Sequence, residues 1–331
     1  MTKIPVTVLT GFLGSGKTTL VNHILTANHG HRIAVIENEF GDIPIDNALV
    51  LGGDEKIIEM SNGCCLCCTA RTDLIEILQS LLRRRERFDR ILIETSGMAD
   101  PNPVAQTFFV DDEVSAAFAL DAIVTLVDAR HVGSHLEEGE HDGVGGQVSN
   151  QIAFADRIVL NKIDLVTEPE IEELRARLRS VNATADIIPS SYGDVDLDDL
   201  LGINAFDLNR TVAADPDWLE DESHHHDPTL ESVSLELGCP LDRAAFEQWL
   251  TALLAERGDD LYRFKGILAF DRRTVLQGVH RMYELTDAGE WGAAPPVSKL
   301  VLIGRNLDRA ELTDTVSRCH AGAAVTSSST S

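Results

Sequence analysis

Lysine is scarce in this sequence. Six lysines and 22 arginines stand against 54 aspartates and glutamates, leaving a formal net charge of −26 over 331 residues. Binding along a nucleic-acid backbone draws on clustered basic side chains, so a phosphate polymer is excluded as the main partner and cations are favoured instead. An acidic excess of this size repels itself in a compact chain unless salt screens it, and the composition resembles that of proteins from salt-accumulating halophiles. Long apolar runs are absent too: nothing approaches the roughly 18 uninterrupted apolar residues that a membrane-spanning helix requires. The opening MTKIPVTVLTGF carries no basic stretch followed by a long apolar core, so no export leader is read and the expected location is cytoplasmic. Aromatic residues make up only 5% of the chain, yet a hydrophobic content of 44% supports an ordinary core, and the length allows two domains.

Cysteine is also sparse, but it is concentrated. Of six cysteines, Cys64, Cys65, Cys67 and Cys68 fall within the stretch NGCCLCC, residues 62–68. Thiols so close together close no useful loop, and a reducing compartment disfavours disulfides, which leaves metal binding, a redox or persulfide role, or plain burial. Metal binding is the leading account. Thiolates suit soft or borderline cations such as Zn2+ or Co2+, and a C-x-C spacing lets two sulfurs reach one ion while leaving tetrahedral positions open. The acidic stretch IENEFGD can fill them with Glu37, Glu39 and Asp42. Cys239 and Cys319 stand alone and read as packing residues. HHHD, residues 224–227, is either an accessory metal trap or a solvated loop, while His131 and His135 read as surface residues.

Along the first two-thirds of the chain, short β-rich apolar runs alternate with helical patterns. PVTVLT is followed by a helix from Lys17 to Ala27, then RIAVIE, a helix over Arg71 to Arg87, RILIE, AIVTLVD, RIVLN, the charged helix PEIEELRARLRSV and the strand DIIPSS. Strands separated by helices predict an α/β domain with a mainly parallel sheet flanked by helices. Residues 1–207 are assigned to it, and the acidic, proline-punctuated, histidine-containing residues 208–228 to a linker. The pattern then changes over residues 229–320. LESVSLEL, DLYRFKGILAF, TVLQGVHRMYEL and SKLVLIG read as strands, with AAFEQWLTALLAE and DRAELTDTVSRC as helices, predicting a smaller α+β domain. Residues 321–331 read as a disordered tail.

The first domain carries GFLGSGKT, residues 11–18, directly after a strand and before a helix, the setting that separates a phosphate-binding loop from a chance match. Gly11, Gly14, Ser15 and Gly16 let backbone N–H groups wrap phosphate, Lys17 reaches the outer phosphates, and Thr18 with its neighbour Thr19 opens the helix, Thr18 offering its hydroxyl to Mg2+. NKID, residues 161–164, ends a strand and reads guanine: Asp164 can accept from N1–H and the exocyclic amine, with Asn161 and Lys162 beside it, which favours GTP over ATP. Ser190, in SSY after the next strand, sits where a loop covers the base. Glu94, closing RILIE, is the candidate carboxylate for the Mg2+ shell or the attacking water, so Lys17 and Glu94 form the expected catalytic pair.

Together GFLGSGKTT, IENEFG, GCCLCC, ETSGMADP and NKIDL resemble the CobW-like family of P-loop GTPases, metallochaperones related to the nickel-insertion GTPases of hydrogenase and urease. The resemblance covers nearly the whole chain, with YRFKGILAF, VLQGVHRMYE and IGRNLD resembling that family's C-terminal domain. The family's C-x-C-C maps onto Cys65, Leu66, Cys67 and Cys68, with Cys64 an extra thiol before it. The resemblance implies a slow GTPase that binds Zn2+ or Co2+ through Cys65, Cys67 and Cys68 and hands it to a client metalloprotein, whether in cobalamin synthesis, a zinc-dependent enzyme or nitrile hydratase activation. A nucleotide-independent metal buffer, a nickel-insertion-type GTPase and a small-molecule P-loop kinase are the alternatives; NKID and the lack of a lid-like arginine cluster disfavour the last.

Overall fold

The computed structural model describes residues 3–27, 30–37, 57–59, 69–83, 88–137, 144–205, 230–292 and 295–321. The chain separates into two compact units, Met1–Thr211 and Val212–Ser331.

Among the described residues, the first unit is a seven-stranded sheet in the order β3-β2-β4-β1-β5-β6-β7, every pairing parallel. The strands are β1 (Ile4–Gly11), β2 (Ile33–Glu37), β3 (Ile57–Glu59), β4 (Arg90–Glu94), β5 (Phe118–Asp128), β6 (Arg157–Asn161) and β7 (Asp186–Pro189). Helices α1 (Lys17–Thr26), α2 (Thr69–Leu82), α3 (Asn102–Val110), α4 (Asp112–Ala117), α5 (Val132–Glu137), α6 (Val144–Phe154) and α7 (Glu168–Val181) connect them. The central strands are continuous apolar runs because helices cover both faces of a parallel sheet. On one face, Leu20, Val21 and Ile24 of α1 pack with Leu9, Leu92 and Val124 of three adjacent strands. After β1 the chain moves to β2 on one side, and after β4 it crosses to β5 on the other. That reversal opens a crevice at the carboxyl end of β1, the position where open α/β sheets bind ligands.

One residue shapes the strand beside it. The register between β1 and β5 shifts at Val6 and Thr7, so that Asp121 is the extra residue of a bulge. Its buried carboxylate accepts from Thr7 Oγ1 at 3.0 Å and from the backbone N–H of Gly202 and Asn204, each at 2.7 Å, tying down residues 202–204.

The second unit is a five-stranded antiparallel sheet, β11-β10-β9-β12-β8, built from β8 (Leu230–Leu237), β9 (Leu261–Ala269), β10 (Arg273–Val279), β11 (Met282–Asp287) and β12 (Ser298–Arg305). Helices α8 (Arg243–Arg257) and α9 (Arg309–Ser317) pack on it. Phe246, Leu250 and Leu254 recur at four-residue spacing on α8 and bury against Leu261, Phe264 and Leu302; each such side chain contributes about 1.5–3 kcal/mol of hydrophobic stabilisation.

The expected fold class is the observed one, with differences in detail. TVLQGVHRMYEL is not one strand but the hairpin β10–β11, closing between Val279 and Met282. His280 turns with φ of 50°. Its ring Nδ1 meets the Gly258 carbonyl at 2.9 Å, and Arg281 donates to the Leu254 and Ala255 carbonyls at the end of α8. The short strand β3 and helices α3 to α6 lie between the runs that sequence patterning marks. The linker at 208–228, and with it His224 to His226, and all but residue 321 of the tail lie outside the described residues.

Candidate functional site

β1 runs into the phosphate-type loop, and two glycines make the turn possible. A Cβ on Gly11 would sit 2.3 Å from the Leu126 carbonyl oxygen, and one on Gly16 would sit 2.6 Å from Asn161 Nδ2; both residues take positive φ, 142° and 106°. Gly16 is the left-handed N-cap of α1, whose first turn holds no acidic residue, so its unsatisfied N–H groups and positive dipole end face the crevice uncompensated. Lys17 is 8% exposed and curls over the loop, its Nζ donating to the carbonyls of Gly11 at 2.7 Å and Phe12 at 3.3 Å. Burial holds this ammonium below its ordinary value, and the charge of Glu94 raises it part of the way back. Ser15 Oγ is buried with no hydrogen-bond partner among the described residues. Thr18 and Thr19 are exposed at the mouth. A loop of N–H donors, one cation, an unpartnered buried hydroxyl and two exposed threonines fits a polyphosphate with a hard cation.

Asn161 binds two loops together. Its Nδ2 donates to the Ser15 carbonyl at 2.9 Å, and its Oδ1 accepts from Gly193 N–H at 3.1 Å. Lys162, at φ 63°, donates from Nζ to Asp128 Oδ2 at 2.7 Å, and Asp128 also meets His131 Nδ1 at 3.1 Å and accepts from the Arg130 N–H. Burial pushes the Asp128 carboxyl up, but those hydrogen bonds outweigh it and hold it below the usual carboxylate value. Asp164 is exposed in the short 3-10 turn Ile163–Leu165, and Ile163 N–H donates to the Ser190 carbonyl at 3.2 Å, bringing Asp164 and Ser190 to one rim. Leu165 and Tyr192, 52% and 78% exposed, give that rim an apolar lining suited to a flat base.

Glu94 ends β4 one strand from the loop. It pairs with Leu9 on β1 and with Glu37 on β2, and Glu37 pairs with Glu59 on β3. Three glutamate positions therefore form one row across the carboxyl edge of the sheet. Beyond Glu94, Thr95 N–H donates to the Leu9 carbonyl at 2.9 Å and Thr95 Oγ1 to Thr10 Oγ1 at 2.9 Å, locking the two strand ends. Gly97 then passes so close to the phosphate loop that a Cβ would lie 2.7 Å from Leu13 Cδ2.

Gln151 is a site-adjacent residue that motif reading does not find. It is 1% exposed on α6, and its Nε2 donates to the carbonyls of Gly97 at 3.2 Å and Ala99 at 3.1 Å. The signal present in the sequence is an amide inside the apolar run NQIAFAD. His135 also departs from a surface reading, since its ring packs against Phe12 with centroids 5.0 Å apart. Cys64, Cys65, Cys67, Cys68, Glu39 and Asp42 lie outside the described residues, and Glu37 is described as the last residue of β2. Among the described residues, no three His, Cys, Asp or Glu side chains group to hold a metal, and no helix is long and apolar enough to cross a membrane.

Residues 5–189 match the family CobW/HypB/UreG, nucleotide-binding domain, and residues 230–320 match the cobalamin synthesis protein cobW C-terminal domain. The chain is 37% identical to the zinc chaperone YjiA of Escherichia coli, over 94% of this chain and 97% of that protein. It is 33% identical to the zinc-regulated GTPase metalloprotein activator 1 of Schizosaccharomyces pombe, over 92% and 83% of the two chains. The crystal structure of Zn(II)-bound YjiA GTPase from E. coli superposes with a TM-score of 0.77 at 34% identity, covering 97% of this chain and all of that one (100%).

Proposed function

Because this chain belongs to the CobW/HypB/UreG family, with a CobW C-terminal domain, we propose that it is a GTPase metallochaperone that loads Zn2+ or Co2+ in its GTP-bound state and releases it to a client metalloprotein on hydrolysis. The supporting observation is the row Glu94, Glu37, Glu59 at the carboxyl edge of the sheet, beside the strand that carries the phosphate loop. β2 and β3 leave the sheet at that same edge, and the chain beyond them carries IENEFGD and NGCCLCC. Under this proposal both ligand segments start from the carboxyl edge that also carries the phosphate loop, and order imposed by the nucleotide on one acts on the other.

In this reading Gly11, Gly14, Ser15 and Gly16 donate N–H groups to the phosphates, and Lys17 trades its two carbonyl partners for phosphate oxygens. Asp164 accepts from guanine, with Ser190 and Tyr192 covering the base and Asn161 and Lys162 fixing that rim. Thr18 and Thr19 open α1 at the phosphates, and Mg2+, held by Thr18, supplies charge neutralisation on the outer phosphates. Glu94 orients the attacking water, and Gln151 fixes the loop that follows Glu94. Cys65, Cys67 and Cys68, with Glu37, Glu39 and Asp42, take the cargo cation. No arginine is offered to the γ-phosphate by these motifs, which fits slow intrinsic turnover accelerated by a partner.

The test is a competition titration of Zn2+ and Co2+ against a chelator, with Mg2+ and either GDP or a non-hydrolysable GTP analogue. Tenfold tighter metal binding with the analogue, about 1.4 kcal/mol of coupling, is expected, and metal must then tighten the analogue by the same factor. Equal affinities would leave a nucleotide-independent metal buffer. Replacing Cys65 and Cys67 with Ser should remove the coupled binding while GTP still binds; equal loss of both would break the link.

A further inference from the structure

Cys239 and His320 stand 81 positions apart and meet in the second unit. Cys239 Sγ lies 3.1 Å from His320 Nδ1 and 3.5 Å from its Nε2. Backbone bonds build the meeting. Leu241 and His320 form an isolated antiparallel bridge. Asp242 N–H donates to the Cys319 carbonyl at 2.7 Å, and Ala321 N–H to the Pro240 carbonyl at 3.0 Å. These contacts fix the segment entering α8 against the segment leaving α9. Neither side chain is used by the core, since Cys239 is exposed and His320 half-buried. Cys319 differs: it belongs to the core, and burial, with the charge of Asp242, pushes its thiol up and keeps it protonated.

A thiolate and an imidazole together suit borderline cations and do not suit Mg2+ or Ca2+, which prefer oxygen. With Zn–S near 2.3 Å and Zn–N near 2.0 Å at a tetrahedral angle, the two donors end about 3.5 Å apart. Sγ lies almost equally far from both ring nitrogens, against the ring rather than along either lone pair, so the two donors are within that reach of each other and a turn of the His320 ring would aim one nitrogen at a cation held by the exposed sulfur. We propose that Cys239 and His320 form an open two-donor site for Zn2+ or Co2+ on the C-terminal unit, with water completing the coordination. On binding, the Cys239 thiol gives its proton to solvent and its sulfur lone pair to the cation, so the affinity rises with pH. Two protein donors hold the ion loosely, as suits a point of entry or exit. The site stands independently of any nucleotide coupling.

The experiment uses the full-length, unaltered chain and Zn2+ alone, with no nucleotide. Iodoacetamide labelling is followed cysteine by cysteine by peptide mass spectrometry. Saturating Zn2+ should slow alkylation of Cys239 about tenfold, His320→Ala should abolish most of that protection, and Mg2+ should give none. Alkylation of Cys239 that Zn2+ leaves unchanged would overturn the site, as would protection of the same size in His320→Ala, which would make it a thiol acting alone. A second measurement uses the full chain with Cys64, Cys65, Cys67 and Cys68 replaced by Ser. Added Co2+ should give a thiolate-to-metal charge-transfer band that disappears in the further variant Cys239→Ser. A band that survives Cys239→Ser would belong to Cys319 and refute the assignment.

Discussion

Asn161 spends both ends of its amide on loops rather than on ligand, joining the carbonyl of Ser15 to the N–H of Gly193. Its removal leaves a buried carbonyl and a buried N–H unsatisfied, at about 1–3 kcal/mol. Because the joint ties the phosphate loop to the base rim, both of which GTP and GDP share, Asn161→Ala should weaken GTP and GDP alike, by about tenfold or more, in isothermal titration. A loss confined to GTP would place Asn161 in the switching machinery instead. Asp164, exposed on the rim, should act on base identity alone: Asp164→Asn should erase a preference for GTP over ATP, and an unchanged preference would remove the guanine assignment. Asp128 bears on pH. Its carboxyl is pushed up by burial but lowered on balance by Lys162, His131 and the Arg130 N–H. A group depressed in the folded state stabilises the fold above its unfolded value, here 3.8, and loses that contribution as pH falls through the folded value. Asp128→Asn should therefore flatten the acid limb of stability below about pH 4 in urea titrations, and an unaltered limb would mean the Lys162 contact contributes nothing net.

At the scale of elements, the loop after β4 is held from two sides, by Leu13 of the phosphate loop against Gly97 and by Gln151 of α6 on the Gly97 and Ala99 carbonyls. Gln151→Leu keeps the volume and removes both donors. It should cost about 1–2 kcal/mol of stability and lower kcat for GTP about tenfold while KM changes little, because the loop's position matters after binding. Gln151→Asn, a shorter donor, should recover less than wild type, and a kcat unmoved by Gln151→Leu would reduce the residue to packing. The phosphate loop was legible in sequence because its chemistry demands fixed residues at fixed spacing next to a strand. Gln151 was not, since its partners are main-chain carbonyls that no side-chain motif specifies. The β10–β11 hairpin was hidden for a related reason: its turn carries neither glycine nor proline, and His280 is held at φ 50° by contacts to the end of α8 that lie more than 20 residues away in sequence. The other strands of the parallel sheet were readable, because burial of both faces writes itself as unbroken apolar runs, whereas the three-residue β3 and helices α3 to α6 were not marked.

Across the whole molecule, a net charge of −26 sets the conditions under which all of these contacts form. Ion pairs such as Arg157 with Asp186 and Arg281 with Asp259 sit at the surface, with the carboxylates 73% and 86% exposed, and such pairs contribute little beyond local order. The dominant electrostatic effect on stability is then the repulsion among unpaired carboxylates, which the unfolded chain relieves by expanding. Salt shortens the reach of that repulsion from about 10 Å at 0.1 M to about 3 Å at 1 M. We infer that the midpoint of urea unfolding climbs steeply as KCl is raised over that range, and that choline chloride at equal ionic strength reproduces the climb. Screening depends on ionic strength and not on the identity of the cation, so a rise with KCl that choline chloride fails to match would point to bound potassium instead. A midpoint that stays level up to 1 M would mean the acidic surface is already neutralised within the fold, and the resemblance to halophile proteins would then be one of composition alone.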